Sequence, residues 1–181
     1  VWAWGNGTSG ELGVTKGAFA GSRRYATKVL DPVDPDNHFL GDGVYTKPVI
    51  DIIASGIVNT QGKISRAYSM ALTERDYNDP TSKNNIYGWG TRYAGLMNPL
   101  EASTSIRSTN PYPVDISINN ALLRDPVALF GDKNASNARA LKRDGQVVTW
   151  GENKYDSYGS YATGMLPDRL VLDGRALTVA G

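Results

Sequence analysis

Three stretches of the chain share one pattern: VWAWGNGTSGELG at residues 1–13, IYGWGTRYAGLMN at 86–98 and VVTWGENKYDSYG at 147–159. Each is a short apolar run that ends in Trp-Gly and leads into a loop of polar residues and glycine. Repetition at this level predicts a repeat architecture, in which each unit packs on its neighbours. The positions that recur are the Trp-Gly pair and, less strictly, a glycine five residues later, which Asp156 replaces in the third copy: Trp4, Gly5, Gly10, Trp89, Gly90, Gly95, Trp150 and Gly151.

Two further elements recur between the Trp-Gly stretches. One is an apolar strand that ends in glycine, at Gly56, Gly131 and Gly181. The other is a strand of small residues containing Ala-Leu, which lies within 66–76 and again within 136–146. Together with a proline-led strand, these elements give four short strands per cycle. The fifty residues between Gly131 and Gly181 are a spacing typical of propeller blades.

The stretch SRAYSMALTERD at 65–76 has a competing interpretation as a short amphipathic helix. In its second copy, however, Asp144-Gly145 predicts a hairpin turn into the next Trp-Gly strand, so we expect a strand in both copies. The predicted fold class is therefore all-β, with β-propeller blades of four antiparallel strands, about two complete repeats and part of a third. We expect a single partial propeller over 1–181, with repeats at roughly 1–85, 86–146 and 147–181, the last incomplete, and inserts at 14–46 and 77–85.

The recurring positions resemble those in the repeat of the regulator of chromosome condensation family. The resemblance rests on WGxxxxGxLG from Trp4 to Gly13, a proline-led strand, an Ala-x-Gly strand end and a Ser/Ala-x-Ala-Leu-x-x-Asp-Gly hairpin. The resemblance covers the chain outside the two inserts. The histidine that the family often has before the Ala-Leu strand is absent, and Tyr68 and Asn137 stand near its position. The resemblance implies a seven-bladed propeller that binds proteins and performs no chemistry itself. Two cycles and part of a third cannot close a ring, so we expect a fragment whose open edges are covered by the remaining blades or by another protein.

The composition excludes several classes of function. Nineteen basic and eighteen acidic residues give a net charge of +1, so the basic surface expected of a nucleic-acid partner is missing. No apolar run is long enough to span a membrane. The chain has no cysteine and only one histidine, His38, which excludes thiolate chemistry and any two-histidine metal motif. We expect no cofactor, and we favour a secreted or surface-associated protein.

The segment DPVDPDNHFLGDG at 31–43 is the one candidate for metal binding. Carboxylates are the hard oxygen ligands that calcium prefers, but their spacing is not that of an EF-hand loop. Two interpretations stay open, a solvated loop stiffened by proline and a calcium site. Among these carboxylates, a hydrolase that needs two carboxylates about 5–9.5 Å apart would use Asp34, Asp36 and Asp42. The candidate metal ligands are Asp31, Asp34, Asp36 and Asp42.

Loops that vary on a repeating scaffold are where recognition normally resides. The chain is therefore predicted to be a non-enzymatic module for protein–protein interaction or adhesion. One alternative is a structural building block of a larger assembly. Another is a propeller that binds carbohydrate, through Tyr155, Tyr158 and Tyr161, or that hydrolyses its substrate with the carboxylates of the long insert. The candidate interaction-loop residues are Arg23, Arg24, Tyr25, His38, Tyr77 and Asn78.

Overall fold

A computed structural model describes residues 1–15, 21–44, 46–92, 96–97, 109–118, 120–133, 135–152 and 168–169. Within these ranges the chain forms β-strands and one short 3-10 helix, Ala121–Leu123, and no α-helix. The all-β prediction is confirmed. The strands are β1 (Trp2–Gly5), β2 (Arg23–Lys28), β3 (Val49–Val58), β4 (Ile64–Thr73), β5 (Asn85–Thr91), β6 (Thr109–Asp115), β7 (Pro126–Gly131), β8 (Asn137–Lys142), β9 (Val147–Gly151) and β10 (Asp168–Arg169).

The strands form three antiparallel sheets in chain order. The first sheet holds β1 and β2, the second holds β3 to β6, and the third holds β7 to β10. The Trp-Gly strands β5 and β9 are each the third strand of a four-stranded sheet. Because β1 is likewise followed by its partner β2, the first sheet presents the third and fourth strands of a blade.

The pattern of β4 explains why it lies in the interior. From Ala67 to Thr73 every residue is buried, because β4 is central in its sheet and is covered on both faces. Successive side chains of a strand point to opposite faces. Tyr68, Met70 and Leu72 pack in the core shared with the third sheet, whereas Ala71 packs in the smaller core shared with the first. Small residues on one face and large residues on the other therefore let three sheets stack closely.

A buried hydroxyl forms a hydrogen bond across the core between the second and third sheets. The hydroxyl of Tyr68 donates a hydrogen bond to the backbone oxygen of Asn137 at 2.8 Å. A Cβ atom at Gly131 would come within 2.9 Å of the Tyr68 hydroxyl oxygen. The glycine that ends β7 is thus required by a side chain from the neighbouring sheet.

Tyr68 makes the stability of the protein sensitive to alkaline pH. Burial raises the pKa of Tyr68 above its usual value of 10.0 and raises the pKa of Tyr87 to about 12. The folded protein therefore keeps phenolic protons that the unfolded chain loses, and we expect the free energy of unfolding to fall as the pH rises above about 10. Tyr68→Phe should lower stability at neutral pH by about 1 kcal/mol and make this alkaline fall shallower.

The measurement is urea denaturation at a series of pH values. Tyr25→Phe is the matched control because Tyr25 is 83% exposed, and it should change neither quantity. A Tyr68→Phe protein with the wild-type alkaline slope would contradict the assignment.

The predicted insert at 14–46 is wrong in one respect. The structure forms β2 within it, followed by an isolated bridge between Leu30 and Phe39. β2 takes the place in the first sheet that β6 takes in the second. The proline-led strand predicted for each cycle does not recur at one place in the blade, because Pro48 precedes β3 whereas Pro113 lies inside β6. The extra length of the first cycle is therefore the excursion 29–48 between β2 and β3.

The strand-ending glycines also differ from the prediction. Gly90 pairs with Tyr68, and Gly151 pairs with Asn137, so Tyr68 and Asn137 are equivalent. Gly56 pairs with the residue before Tyr68, but Gly131 pairs with the residue after Asn137. Gly131 is thus the equivalent of Ala54. The strand-ending glycine is therefore shifted by two residues between β3 and β7. A shift of two residues leaves every side chain of the strand on the same face of the sheet, so the apolar pattern of the sequence is unchanged.

Candidate interaction site

The loops of the protein gather at the two ends of the strands. The antiparallel registers place the segments 29–48, 74–84, 116–125 and 143–146 at one end, and we call this end the loop rim. The excursion after β2 and the predicted insert at 77–85 therefore share one rim. His38, Tyr77 and Asn78 lie on it. Residues 23–25 do not, because they form the start of β2 at the opposite end and are not in a loop.

The segment 74–84 is ordered by its own side chains. The carboxylate of Asp76 accepts a hydrogen bond from the backbone of Asn78 at 2.9 Å. The Asn84 side chain accepts from the Arg75 backbone at 2.8 Å and donates to the Pro126 backbone oxygen at 2.7 Å, which ties this segment to β7. Tyr77 at its tip is 65% exposed, with the Arg75 guanidinium 5.0 Å from its ring centre. The loop thus presents an aromatic side chain from a fixed backbone.

A polar pocket of about 290 Å³, which we call the rim pocket, lies beside this loop. Its cations come from three segments, Lys47 from 29–48, Lys83 from 74–84 and Arg124 from 116–125. The Lys47 ammonium donates to the Ser82 hydroxyl, and Arg124 donates to the Ile118 backbone oxygen at 2.6 Å. One carboxylate, Asp79, lines the pocket.

The carboxylate of Asp79 is already engaged within its loop. It accepts hydrogen bonds from both the hydroxyl and the backbone of Thr81 at 2.7 and 2.8 Å. These bonds, the hydroxyl first, hold the pKa of Asp79 below its usual value. Three cationic side chains and one ionised carboxylate therefore line the rim pocket. This excess of positive charge suits the binding of an anionic group.

The acidic loop at 31–43 closes on its own backbone. Asp31 is fully buried, and its Oδ1 accepts from the backbones of Val33 at 2.7 Å and Asp34 at 3.0 Å. Both oxygens of Asp42 accept from backbone N–H groups, and the His38 ring nitrogen Nδ1 lies 3.1 Å from Asp42 Oδ2. The Val44 N–H is the largest cause that lowers the pKa of Asp42.

These contacts do not assemble a metal site. In the described part of the chain, no three acidic or histidine side chains are grouped so that they could hold a metal ion. Asp31 is buried whereas Asp36 is exposed, and Oδ1 of Asp31 and both oxygens of Asp42 accept hydrogen bonds from the loop backbone. Calcium binding stays a prediction that the geometry of the loop does not support.

The tryptophans form contacts between cycles that the sequence analysis missed. The indole Nε1 of Trp89 donates to the backbone oxygen of Glu11 at 2.8 Å. The indole of Trp150 donates in the same way to Leu96 at 3.2 Å. Glu11 and Leu96 each lie seven residues after the tryptophan of the preceding cycle. The Trp-Gly loop of one cycle thus caps the tryptophan of the next, and the equal spacing was the signal available in the sequence.

The glycine after each tryptophan has one backbone conformation and two environments. Gly5, Gly90 and Gly151 have φ angles of 105°, 106° and 105°. A Cβ atom at Gly90 would lie 2.5 Å from the Ala67 backbone oxygen, and one at Gly151 would lie 2.4 Å from that of Ser136. A Cβ atom at Gly5 would meet nothing within 4 Å. Among the described residues, no strand other than β2 pairs with β1, and none lies close to Gly5.

An apolar cavity of about 370 Å³ lies next to β1, and we call it the open groove. Trp2 is 56% exposed and Trp4 is 65% exposed along it, whereas Trp89 and Trp150 are buried. The residues that decide its character are Trp2, Trp4, Glu11, Ile52, Ile64 and Ala67.

Glu11 is the acidic group of the open groove. Its Oε2 accepts from the Ser9 backbone at 2.7 Å, whereas its Oε1 is buried and has no hydrogen-bond partner. Burial raises the pKa of the Glu11 carboxyl. The groove thus combines apolar walls with one unsatisfied acceptor.

Several residues singled out in the sequence lie outside the described ranges. These are Gly95, Tyr155, Asp156, Tyr158, Tyr161 and Gly181.

No protein-family model and no curated protein matches the chain. Solved structures do match it. Human WBSCR16 is 16% identical with a TM-score of 0.59, over 99% of this chain and 37% of that one. Prp20p from Saccharomyces cerevisiae, whose structure was described together with its binding to Gsp1p and histones, is 13% identical with a TM-score of 0.57, over 95% and 34%.

The chain has the fold of β-propeller blades. Both neighbours are propellers of the regulator of chromosome condensation type, so the predicted fold class is confirmed. The chain spans about a third of the length of each. In the described part of the chain, no helix is long and apolar enough to cross a membrane.

Proposed function

We propose that the chain is a divergent part of a propeller of the regulator of chromosome condensation type, which binds a protein partner through its loop rim and catalyses no reaction. The observation that carries this proposal is the rim pocket. Three cations from three separate segments line one cavity there. Acidic side chains of a partner are the groups that such a pocket would accept.

The loop rim has the rigidity that specific binding favours. The Asp125 backbone N–H donates to the Asn84 backbone oxygen and the Lys47 ammonium donates to the Ser82 hydroxyl, so hydrogen bonds join the three segments before any partner arrives. A surface ordered in advance loses less conformational entropy on binding.

The rim also exposes the kinds of side chain that dominate protein interfaces. Tyr77 and Ile118 are 65% and 57% exposed, and Arg124 lines the pocket beside them. Tyrosine and arginine are enriched among the residues that contribute most to binding energy. The likeness to Prp20p, a protein described with protein partners, supports the same class of function. An adhesion role and a surface location are narrower versions of this proposal.

Reversing two charges of the rim pocket should abolish capture of the partner. Lys83→Glu with Arg124→Glu leaves Asp79 facing two new carboxylates, so an acidic partner is repelled. We expect capture from an extract of the source organism, measured by quantitative mass spectrometry, to fall at least about tenfold, the equivalent of about 1.4 kcal/mol.

The matched control is Arg24→Glu with Lys63→Glu, because these two exposed cations lie away from the loop rim. This control should capture the same protein at the wild-type level, and both variants should unfold within about 0.5 kcal/mol of the wild type. Equal loss of capture in both variants would show that net charge matters and that the rim pocket does not. The identity of the captured protein also tests whether the role is adhesion.

A further inference from the structure

We propose that the rim pocket binds the phosphate group of a phosphorylated serine or threonine on the partner protein. This inference rests on protein binding by the loop rim, as proposed above, and it names the chemical group that the rim pocket selects. A buried hydroxyl, the hydrogen-bond donors of the cations, the charge of the pocket and the charge of its surroundings carry it.

The buried hydroxyl belongs to Ser82, which lines the rim pocket and is 8% exposed. Its Oγ accepts hydrogen bonds from the Asp76 backbone N–H at 2.9 Å and from the Lys47 ammonium. A serine hydroxyl has two acceptor positions and one donor hydrogen, so both acceptor positions are used. Among the described residues the Ser82 hydroxyl donates to no acceptor. Its hydrogen therefore suits an anionic oxygen in the pocket.

The cations of the rim pocket also keep hydrogen-bond donors. The Lys47 ammonium directs one of its three N–H groups to Ser82. The Arg124 guanidinium, with five N–H groups, donates to the Ile118 backbone oxygen at 2.6 Å. Donors from separate segments thus meet at one pocket. A phosphate monoester brings three strong acceptor oxygens to such donors, one more than a carboxylate brings.

The charge of the rim pocket also matches a phosphate. Lys47, Lys83 and Arg124 line it against one carboxylate, Asp79, which leaves an excess of two positive charges. A phosphorylated serine carries about −1.5 to −2 charges at pH 7, whereas glutamate or aspartate carries a single negative charge. A phosphate therefore neutralises an excess that a carboxylate would leave half unpaired.

The rest of the loop rim is acidic, which restricts the source of the phosphate. Outside the pocket, its four segments carry only two arginines or lysines, Arg75 and Arg143, against eight aspartates and glutamates. An extended anionic surface, such as a membrane or a nucleic-acid backbone, would meet these carboxylates and be repelled. A single phosphate on a protein avoids this repulsion, and basic residues beside it would be attracted to the rim.

The test is NMR titration of the 181-residue chain with three capped pentapeptides of sequence Ala-Lys-X-Lys-Ala, in which X is phosphoserine, glutamate or serine. We expect the phosphoserine peptide to bind with a Kd at or below about 0.5 mM. The glutamate peptide should bind at least about fivefold more weakly, because it brings fewer oxygens and less charge. The serine peptide should show no saturation up to about 5 mM.

Two variants locate the bound phosphate. Ser82→Ala removes the donor hydroxyl and should weaken binding of the phosphoserine peptide about fivefold. Because Ser82 also accepts from the Asp76 backbone, Lys83→Met gives a second reading that leaves this contact intact, and it should weaken binding by a similar factor. Lys63→Met is the matched control, since Lys63 is an exposed cation away from the loop rim, and it should bind as the wild type does.

The outcomes separate this inference from the protein binding on which it rests. Equal affinity for the glutamate and phosphoserine peptides would overturn the choice of phosphate and leave a pocket for acidic side chains. We expect treatment of the extract with a protein phosphatase to abolish capture of the partner. Capture that survives this treatment would overturn the phosphorylated partner and leave protein binding by the loop rim intact.

The remaining outcomes concern the site and the source of the phosphate. No saturable binding of the phosphoserine peptide up to about 5 mM, or unchanged affinity in Lys83→Met, would overturn the site. Inorganic phosphate that binds as tightly as the phosphoserine peptide would overturn a protein source. Binding to phosphatidylcholine vesicles that contain phosphatidylinositol phosphate, without binding of the peptide, would assign the pocket to a membrane and would also overturn it.

Discussion

Replacing Trp150 with Ala is expected to lower the free energy of unfolding by about 3–5 kcal/mol, whereas Trp4→Ala should change it by less than about 0.5 kcal/mol. Trp150 is fully buried in the core between the second and third sheets, and its indole donates to Leu96. Truncation leaves a large cavity and an unpaired backbone oxygen. Trp4 is 65% exposed, so its removal leaves no cavity.

Urea denaturation of both variants provides the measurement. Domains of this kind have total stabilities of about 5–15 kcal/mol, so Trp150→Ala could leave only a marginal fold. Trp150→Phe then gives a second reading, because it retains most of the apolar volume and should cost less than the Ala variant. Similar losses for Trp4→Ala and Trp150→Ala would mean that β1 is covered within the isolated chain.

Gly90→Ala is expected to be nearly as damaging, at about 2–5 kcal/mol, and Gly5→Ala should cost about 1 kcal/mol. Both variants carry the strain of a side chain at positive φ. Only at Gly90 would the new Cβ also overlap the backbone of Ala67 and Tyr68, at 2.5 and 2.7 Å. The backbone of β4 cannot retreat without breaking its pairing with β5.

The difference between these two variants isolates the cost of close packing from the cost of backbone strain. It is measured from denaturation curves with unchanged slope, so that the two proteins share one unfolded reference. Equal losses in the two variants would indicate that backbone strain alone decides the cost of both substitutions.

The repeated Trp-Gly stretches were enough to predict the blades, because each occupies the same place in its sheet. They could not show that Trp4 is exposed while Trp89 and Trp150 are buried. The three tryptophans share one local pattern, and the difference lies in the strand packed beside them. Burial here is a property of the neighbouring strand and is not encoded within five residues of each tryptophan.

Strand β2 escaped prediction for a local reason. Its sequence RRYATK lacks the apolar alternation of a half-buried strand, and four of its six residues are exposed. It forms because β1 offers an edge for pairing. The acidic loop at 31–43 shows the opposite error, because a site was predicted there that the loop geometry does not support. A count of carboxylates in the sequence assumes that every carboxylate oxygen is free to bind a metal ion. In the folded loop, backbone N–H groups occupy Oδ1 of Asp31 and both oxygens of Asp42.

The four tryptophans divide into two optical populations. Trp2 and Trp4 stand at the open groove in contact with water, whereas Trp89 and Trp150 have their indole N–H groups bonded within the core. A soluble quencher should reach only the first pair, and indole protons of the second pair should exchange slowly with solvent. One unlabelled sample can therefore report separately whether something occupies the groove and whether the blades behind it remain folded.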